Sequence, residues 1–377
     1  MPAYLDFCST TPVDSRVSAV VQHYMETEFG NAGSRTHEYG MVASQAVEEA
    51  RSHVAEGCGA KSDEVLFTSG ATEANNLALL GLGEHARGTG SRHALTLAIE
   101  HKAVLEPLGA LAMTKEVELE LVPVGECGWV DPGELADRLR PDTFVVSTMH
   151  ANNETGVVQP LKDIAEVLRD HPAYWHVDAA QTFGKIEGLD EERIDLISVS
   201  GHKLYGPMGV GALIARRRGY ERPPLTPLMF GGGQERGLRP GTVPVPLVTG
   251  LGEACRLALA EQDKRSSACV AERSKATTAL ETLEPIYNGD QDLVLPHVMN
   301  LSIPGLDAEA AMMILRDLVA ISNGSACTSS SYEPSHVLSA MGLALERASG
   351  ALRVSWSHDP VLVDWMDVAE RLANALR

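Results

Sequence analysis

Short apolar runs alternate with longer amphipathic stretches over the first two-thirds of the chain. Among the amphipathic stretches, 17–28 and 44–57 carry apolar residues at helical spacing and predict helices. An alternation of strands and helices favours an α/β architecture, with a mostly parallel sheet covered by helices on both faces. The runs rich in branched and aromatic residues predict buried strands at 64–68, 94–98, 117–122, 144–149, 174–178, 194–199 and 210–215.

The pattern changes in the last third of the chain. Residues 248–284 contain few helix breakers and predict one long helix. The shorter segments beyond it predict two strands and two helices, at 298–303, 308–316, 351–355 and 362–376. A chain of 377 residues exceeds what one hydrophobic core usually fills, so we expect two domains. We expect a large domain over 16–255 and a small α+β domain made of 1–15 and 256–377.

Charge and cysteine usage restrict the function classes. A formal net charge of −20 gives no basic footprint for nucleic acid, so we expect no direct binding to DNA or RNA. No apolar run approaches the ~20 residues that span a bilayer, and a signal pattern is missing, so we expect a cytoplasmic protein with no membrane contact. The six cysteines form no C-x-x-C pair, which argues against a disulfide framework and predicts no metal site.

Two charged side chains, Lys203 and Asp178, come at the ends of buried strands. Burial lowers the pKa of a lysine, and a neutral amine can form a Schiff base with an aldehyde. Enzymes that use pyridoxal 5'-phosphate (PLP) need such a lysine and a carboxylate beside the ring nitrogen. Taken singly, Lys203 could be a surface residue, and Asp178 could cap the helix that follows it. Together they favour a PLP site at the carboxyl edge of the sheet.

A glycine turn at residues 69–73 leads from a predicted strand into a predicted helix. A helix that starts in this way offers free N–H groups and the positive end of its dipole to a phosphate. Ser69 and Thr72 followed closely by Glu73 also resemble an ordinary helix cap, so the turn could bind a phosphate or could only cap the helix.

Five motifs, in this order along the chain, resemble those of the cysteine desulfurases, which are fold-type I PLP enzymes related to the class V aminotransferases. The likeness extends over residues 4–355 and implies a mostly parallel seven-stranded sheet with a smaller α+β domain. The long segment that follows the last motif is similar to that of the NifS/IscS group. The motifs are SGATEANN (69–76), HVDAAQ (176–181), SGHKLYGP (200–207), GGGQERGLRPGT (231–242) and NGSACT (323–328).

The resemblance implies a role for each matched residue. Lys203 would carry PLP, and Thr242 would reach the phosphate of the other subunit, which makes a homodimer necessary. The remaining cofactor contacts implied are Ala71, Thr72, His101, Asn152, Asp178, Gln181, Ser200 and His202.

The resemblance also implies a reaction. Arg353, with Asn152 and Asn31, would hold L-cysteine, while Lys203 and His101 move protons. Cys327 would attack the substrate sulfur, which leaves a persulfide on Cys327 and releases L-alanine.

The fate of the sulfur and the roles of two residues stay open. The sulfur would pass to an acceptor protein, for DNA phosphorothioation, iron–sulfur cluster assembly or tRNA thiolation. Another class V PLP enzyme, such as an aminotransferase, would share Lys203 and Asp178 but would have no use for Cys327. Without the resemblance, Cys327 could be a spectator thiol and Arg353 an exposed strand residue.

Overall fold

A seven-stranded sheet lies at the centre of the computed structural model, which describes residues 1–114, 116–324, 335–360 and 362–376. The strands are β1 (Ala3–Tyr4), β2 (Val65–Thr68), β3 (His93–Leu97), β4 (Glu118–Val122), β5 (Thr143–Met149), β6 (Tyr174–Asp178), β7 (Leu196–Ser200), β8 (Gly211–Ala215), β9 (Ile286–Tyr287), β10 (Val298–Ser302), β11 (Val319–Ala320) and β12 (Ala351–Ser355).

The large sheet has the order β2-β8-β7-β6-β5-β3-β4. Strand β8 runs antiparallel to its neighbours β2 and β7, and the other four neighbouring pairs are parallel. The seven predicted strands and the mostly parallel sheet are therefore confirmed, with bounds shifted by at most two residues.

Helices cover the sheet and connect its strands. They are α1 (Ser15–Glu26), α2 (Glu38–Glu56), α3 (Ala71–Gly81), α4 (Gly83–Thr89), α5 (Lys102–Met113), α6 (Pro132–Arg138), α7 (Leu161–Leu168), α8 (Val245–Ala260), α9 (Gln262–Leu280), α10 (Ala308–Leu315), α11 (His336–Ala340), α12 (Leu345–Ser349) and α13 (Trp365–Ala375).

Each strand of the large sheet supplies residues alternately to two hydrophobic cores, because successive side chains point to opposite faces. In β7, Ile197 and Val199 pack with α2 and α8 on one face, whereas Leu196 packs with α3 and α5 on the other. Burial on both faces explains why these strands are nearly continuous apolar runs in the sequence.

A separate core lies around the antiparallel sheet β12-β10-β9. Leu301 and Leu352 from this sheet pack with Leu280, Trp356 and Trp365. Residues near both chain ends take part, since β1 pairs with β11 and Leu5 belongs to this core. The expected domain boundary between residues 255 and 256 falls within α8 and stays a prediction.

Two helix predictions need correction. The single helix over 248–284 is wrong, because the chain leaves helical geometry at Glu261 (φ −115°, ψ 10°) and forms α8 and α9 instead. The Glu261 carboxylate at this break accepts hydrogen bonds from Arg16 and Arg265. The second predicted helix starts at Glu38 instead of Ser44, because the His37 side chain caps it by accepting a bond from the Gly40 N–H.

Candidate active site

A cavity of about 530 Å³ opens at the carboxyl ends of the central parallel strands. The last residues of β5, β6 and β7 form its floor, and the first turns of α3 and α5 form part of its wall. This edge of an open α/β sheet is where ligands commonly bind. Nine of the predicted site residues line it together: Ala71, Thr72, His101, Asp178, Gln181, Ser200, His202, Lys203 and Arg353.

Lys203 lies in a tight 3₁₀ turn, Gly201–Lys203, directly after β7. The turn is so close to the neighbouring backbone that a Cβ on Gly201 would lie 2.9 Å from the Pro207 carbonyl oxygen. A larger residue at position 201 would displace the lysine. The Lys203 Nζ donates a hydrogen bond to the carbonyl oxygen of Cys8, which fixes the amine at the cavity wall.

Asp178 is the last residue of β6 and is 7 % exposed. Its Oδ2 accepts a hydrogen bond from Asn75 Nδ2 at 2.7 Å, and its Oδ1 accepts from the Ala180 N–H at 2.9 Å. These bonds hold the carboxylate in one orientation at the cavity floor. Sequence reasoning missed Asn75, although it lies within the first motif, because nothing local indicates a partner 103 residues away.

His101 caps the start of α5, where its Nδ1 accepts a hydrogen bond from the Ala103 N–H at 3.0 Å. Burial lowers the pKa of this imidazole, with a further contribution from the Lys203 charge, while the Asp178 carboxylate opposes the shift. The ring is therefore neutral at pH 7 and carries its proton on Nε2. His101 can offer that N–H to a group in the cavity.

The start of α3 has the features of an anion site. None of the described side chains caps this helix, so its first N–H groups remain available beside the cavity. Gly70 has φ 152° and lies beside the end of β7, where a Cβ would be in ordinary van der Waals contact with Ser200 Oγ at 3.8 Å. His202 lies nearby, and burial lowers its pKa to about 4, with help from the Lys203 charge.

Arg353 on β12 is 2 % exposed and reaches the cavity from the other side. Its Nη2 donates to Asp6 Oδ1 at 2.6 Å and to Ser9 Oγ at 2.8 Å, and its Nη1 donates to the Asn153 carbonyl at 3.0 Å. A guanidinium has five N–H donors, so two are left, and the buried Nε has no partner among the described residues. Since Arg353 also lines the cavity, its guanidinium retains donor capacity beside a carboxylate bound there.

Gln181 also lines the cavity, and only one end of its side-chain amide has a hydrogen-bond partner. Its Nε2 donates to the Cys8 carbonyl at 3.0 Å, but its buried Oε1 has no partner within the described part of the chain. A buried acceptor of this kind usually has a ligand or water partner. This acceptor fits a hydrogen-bond donor on a ligand, whereas the uncapped start of α3 and the Arg353 guanidinium fit anionic groups of that ligand.

Three predicted site residues are not part of the cavity lining. Asn152 is fully buried, and its side chain bonds the Ile99 carbonyl and the N–H groups of Glu154 and Thr155. Asn31 is exposed and its Oδ1 accepts from the Gly33 N–H, while Thr242 is exposed on the Gly/Arg-rich segment. The roles given to these residues stay predictions.

Cys327 lies outside the described residues, but the residues on both sides of its segment line the cavity. Gly324 precedes the segment, and His336 follows it with Nε2 donating to the Glu100 carbonyl at 2.9 Å. Sequence reasoning also missed Glu154, which is buried between these two ends.

Comparison with known proteins confirms the resemblance that the motifs indicated. The family model for class V aminotransferases matches residues 3–359. The cysteine desulfurase IscS of Rickettsia prowazekii is 43 % identical over 356 residues, which is 94 % of this chain and 86 % of the relative.

Solved structures agree with this match. DndA from Streptomyces lividans is 50 % identical with a TM-score of 0.82, covering 93 % of this chain and 98 % of that one. SspA in complex with cysteine is 34 % identical with a TM-score of 0.84, over 94 % of this chain and 98 % of that one.

The described residues contain neither a candidate membrane-spanning helix nor a candidate metal cluster. In that part of the chain no helix is both long and apolar enough to cross a bilayer. The same residues contain no group of three or more histidine, cysteine or acidic side chains placed to hold a metal ion.

Proposed function

Since the chain belongs to the class V aminotransferase family, a PLP-dependent family of fold type I, we propose that it is a cysteine desulfurase. The reaction converts L-cysteine to L-alanine and leaves the sulfur as a persulfide on Cys327. The observation that carries this proposal is the convergence of Lys203, Asp178 and Arg353 on one cavity, with both ends of the Cys327 segment at its wall.

The cavity wall supplies the groups that PLP requires. PLP, when bound, provides the electron sink that makes loss of the substrate Cα proton feasible. Lys203 offers the amine that holds the cofactor, and Asp178, oriented by Asn75, offers the carboxylate for its ring nitrogen. The uncapped start of α3, with Ser200 and His202, would bind the phosphate.

Arg353 binds the substrate from the side of the cavity opposite the PLP groups, while Lys203 and His101 serve both cofactor and substrate. The Arg353 guanidinium, whose donors are only partly used, would hold the carboxylate of L-cysteine. Lys203 and His101 move protons, and His101 can donate from Nε2 because its Nδ1 is engaged by α5.

The sulfur step uses Cys327 as the nucleophile. Its thiolate attacks the substrate sulfur, the substrate C–S bond breaks, and the electron pair of that bond takes a proton at Cβ to give alanine. Forming the S–S bond oxidises the two sulfurs by two electrons, and Cβ, which keeps the electron pair of the broken C–S bond, is reduced by the same two, so this step needs no external oxidant.

A homodimer would bring Thr242 to the phosphate of the partner's cofactor. Thr242 is exposed and absent from the cavity of its own chain, as a residue that serves another subunit would be. The segment that carries it is firmly attached, since Arg239 Nε donates to Glu73 Oε1 at 3.0 Å beside the start of α3. Phe230, which directly precedes this Gly/Arg-rich segment (231–242), is 89 % exposed and offers apolar surface for such an interface.

The sulfur acceptor is a protein in this proposal. A net charge of −20 disfavours direct contact with a polyanion, so the persulfide would pass to a cysteine of a carrier. We favour DNA phosphorothioation as the pathway on the likeness to DndA, with iron–sulfur assembly or tRNA thiolation as the alternatives. The five described cysteines are all free, which supports a reducing compartment such as the cytoplasm.

The test is to supply purified protein with PLP, L-cysteine and a reductant, and to measure alanine and sulfide. We expect equal amounts of both from the wild type. Cys327→Ser should keep the cofactor absorbance and still bind cysteine, yet release almost no sulfur. Borohydride should attach PLP to the peptide that contains Lys203. Undiminished alanine from Cys327→Ser, or a reduced adduct on a different lysine, would contradict the proposal.

A further inference from the structure

Glu154 is a buried acid in the turn that follows β5, and no part of the reaction proposed above uses it. It is 3 % exposed and lines the cavity. Its N–H donates to Asn152 Oδ1 at 2.8 Å, and its carbonyl accepts from Asn300 Nδ2 at 3.1 Å. The backbone of Glu154 is therefore hydrogen-bonded through both its N–H and its carbonyl, which leaves the carboxylate for other contacts.

The end of the Cys327 segment is bonded to this carboxylate. Ser335, the first described residue after 325–334, donates its hydroxyl to Glu154 Oε2 at 2.5 Å. The same oxygen of Ser335 accepts from the Leu338 N–H at 3.2 Å, which caps α11. A serine hydroxyl has one proton, so Glu154 receives the only hydrogen bond that the Ser335 hydroxyl can donate.

The start of the segment lies against the same carboxylate. Gly324, the last described residue before it, is so close that a Cβ there would be 3.0 Å from Glu154 Oε2. Its φ of 85° is a conformation that favours glycine. Its N–H donates to Ser322 Oγ at 3.0 Å, so Gly324 is hydrogen-bonded on one side and packed against the Glu154 carboxylate on the other.

These contacts continue to the candidate substrate site. The backbone of Ser322 pairs with that of Arg353, with N···O distances of 3.2 and 2.6 Å. The Arg353 Nη1 donates to the carbonyl of Asn153, the residue beside Glu154. One turn thus touches both ends of the Cys327 segment and the guanidinium proposed to hold cysteine.

We infer that Glu154 is a positioning residue for sulfur transfer, whose carboxylate holds residues 324 and 335 at the cavity and so determines how Cys327 meets the substrate sulfur. This inference rests on the proposed function. It adds a residue that affects the rate of persulfide formation through its contacts with residues 324 and 335. Loss of its carboxylate should slow that step and leave cysteine binding nearly unchanged.

The experiment compares two substitutions at position 154 in the PLP-loaded enzyme. Glu154→Met has similar length but offers no oxygen to Ser335, whereas Glu154→Gln keeps an acceptor oxygen. Cysteine affinity is measured from the change in cofactor absorbance, and Cys327 persulfide is measured by rapid quenching and mass spectrometry. We expect Glu154→Met to bind cysteine within 3-fold of the wild type and to form persulfide at least 10-fold more slowly. Glu154→Gln should recover most of the rate.

A second pair of variants tests the same bond from its other end. Ser335→Ala should slow persulfide formation to a similar degree, and the double variant with Glu154→Met should be no slower than the slower single variant, since both remove one interaction. Ser335→Ala also removes a helix cap, so Asp364→Ala, which removes the cap of α13, is the matched control and should leave the rate unchanged.

The outcomes separate this inference from the proposal beneath it. Absence of persulfide on Cys327 in the wild type would refute the proposed function itself. Persulfide in the wild type and at an equal rate in Glu154→Met would refute only the positioning role. A parallel loss of cysteine affinity and rate that Glu154→Gln does not reverse would also refute it, because that result indicates collapse of the cavity.

Discussion

Replacing Glu235 with glutamine should destabilise the protein, because it leaves a buried guanidinium without its carboxylate. Arg51 and Glu235 form a two-pronged ion pair, with N···O distances of 2.8 and 2.9 Å, and their side chains are 8 % and 4 % exposed. Glu235 Oε2 also accepts the Phe67 N–H at 2.8 Å, which joins the Gly/Arg-rich segment to β2. The pair therefore holds the segment that carries Thr242 against the sheet.

The size of the effect follows from the burial of the pair. Removing one partner of a buried ion pair costs ~3–5 kcal/mol, because the other charge stays buried. Glu48 remains 3.1 Å from Arg51 Nε, and a glutamine can still accept a hydrogen bond, so we expect the lower end, ~3 kcal/mol. Glu48→Gln is the matched control, since that side chain is 62 % exposed and its pair should contribute under ~1 kcal/mol.

The assay is equilibrium unfolding in urea at fixed protein and PLP concentrations. The midpoint should fall clearly for Glu235→Gln and hardly at all for Glu48→Gln, with similar slopes for both. A loss below ~1 kcal/mol for Glu235→Gln would refute the reasoning, because it would mean that the Arg51 charge finds another partner or water at little cost.

Three further predictions concern substrate binding, the pH dependence of stability and the dimer. Arg353→Lys should raise KM for L-cysteine ~30- to 150-fold while the cofactor absorbance persists, because it loses a charge-assisted hydrogen bond worth ~2–3 kcal/mol, and an unchanged KM would contradict the assignment. Burial lowers the pKa of His176 to about 4, so protonation of this ring below its unfolded pKa of ~6.5 should reduce the free energy of unfolding by ~3 kcal/mol by pH 4. The pKa values of His150 and His202 are also lowered to about 4, so His176→Asn should make the total acid loss smaller by that amount without abolishing it, and an unchanged profile would contradict the reasoning. Mixed dimers of Lys203→Ala and Thr242→Ala chains should be more active than either parent, and a fully active monomer in sedimentation would exclude shared sites.

The sheet could be predicted from sequence because its signal is local. Each central strand is buried on both faces and is therefore a short apolar run, and its polar residues come where the run ends. Lys203 and Asp178 were found in this way, since β6 and β7 are parallel neighbours and their ends meet at one edge. The break at Glu261 was missed because no glycine or proline marks it in the local sequence, and the Arg16 partner of its carboxylate lies 245 residues away.

The supporting contacts of the site could not be predicted for the same reason. Asp6 bonds Arg353 across 347 residues, and Ser335 bonds Glu154 across 181. An aspartate near the start of a chain and a serine before a helix carry no signal of such partners. Only packing of the large sheet against the smaller core brings them together, so the residues that orient the site emerge from the tertiary structure.

The first dozen residues of the chain connect the smaller core mechanically to the lysine of the active site. They stay with the smaller core as far as Cys8, whose N–H donates to Ser355 Oγ of β12 at 2.9 Å, and they join the large sheet where the Thr11 N–H bonds the His202 carbonyl. The carbonyl of Cys8 accepts from the Lys203 amine. Cys8 therefore bonds the smaller core through its N–H and the turn after β7 through its carbonyl, so a shift of one core against the other acts directly on the position of the lysine.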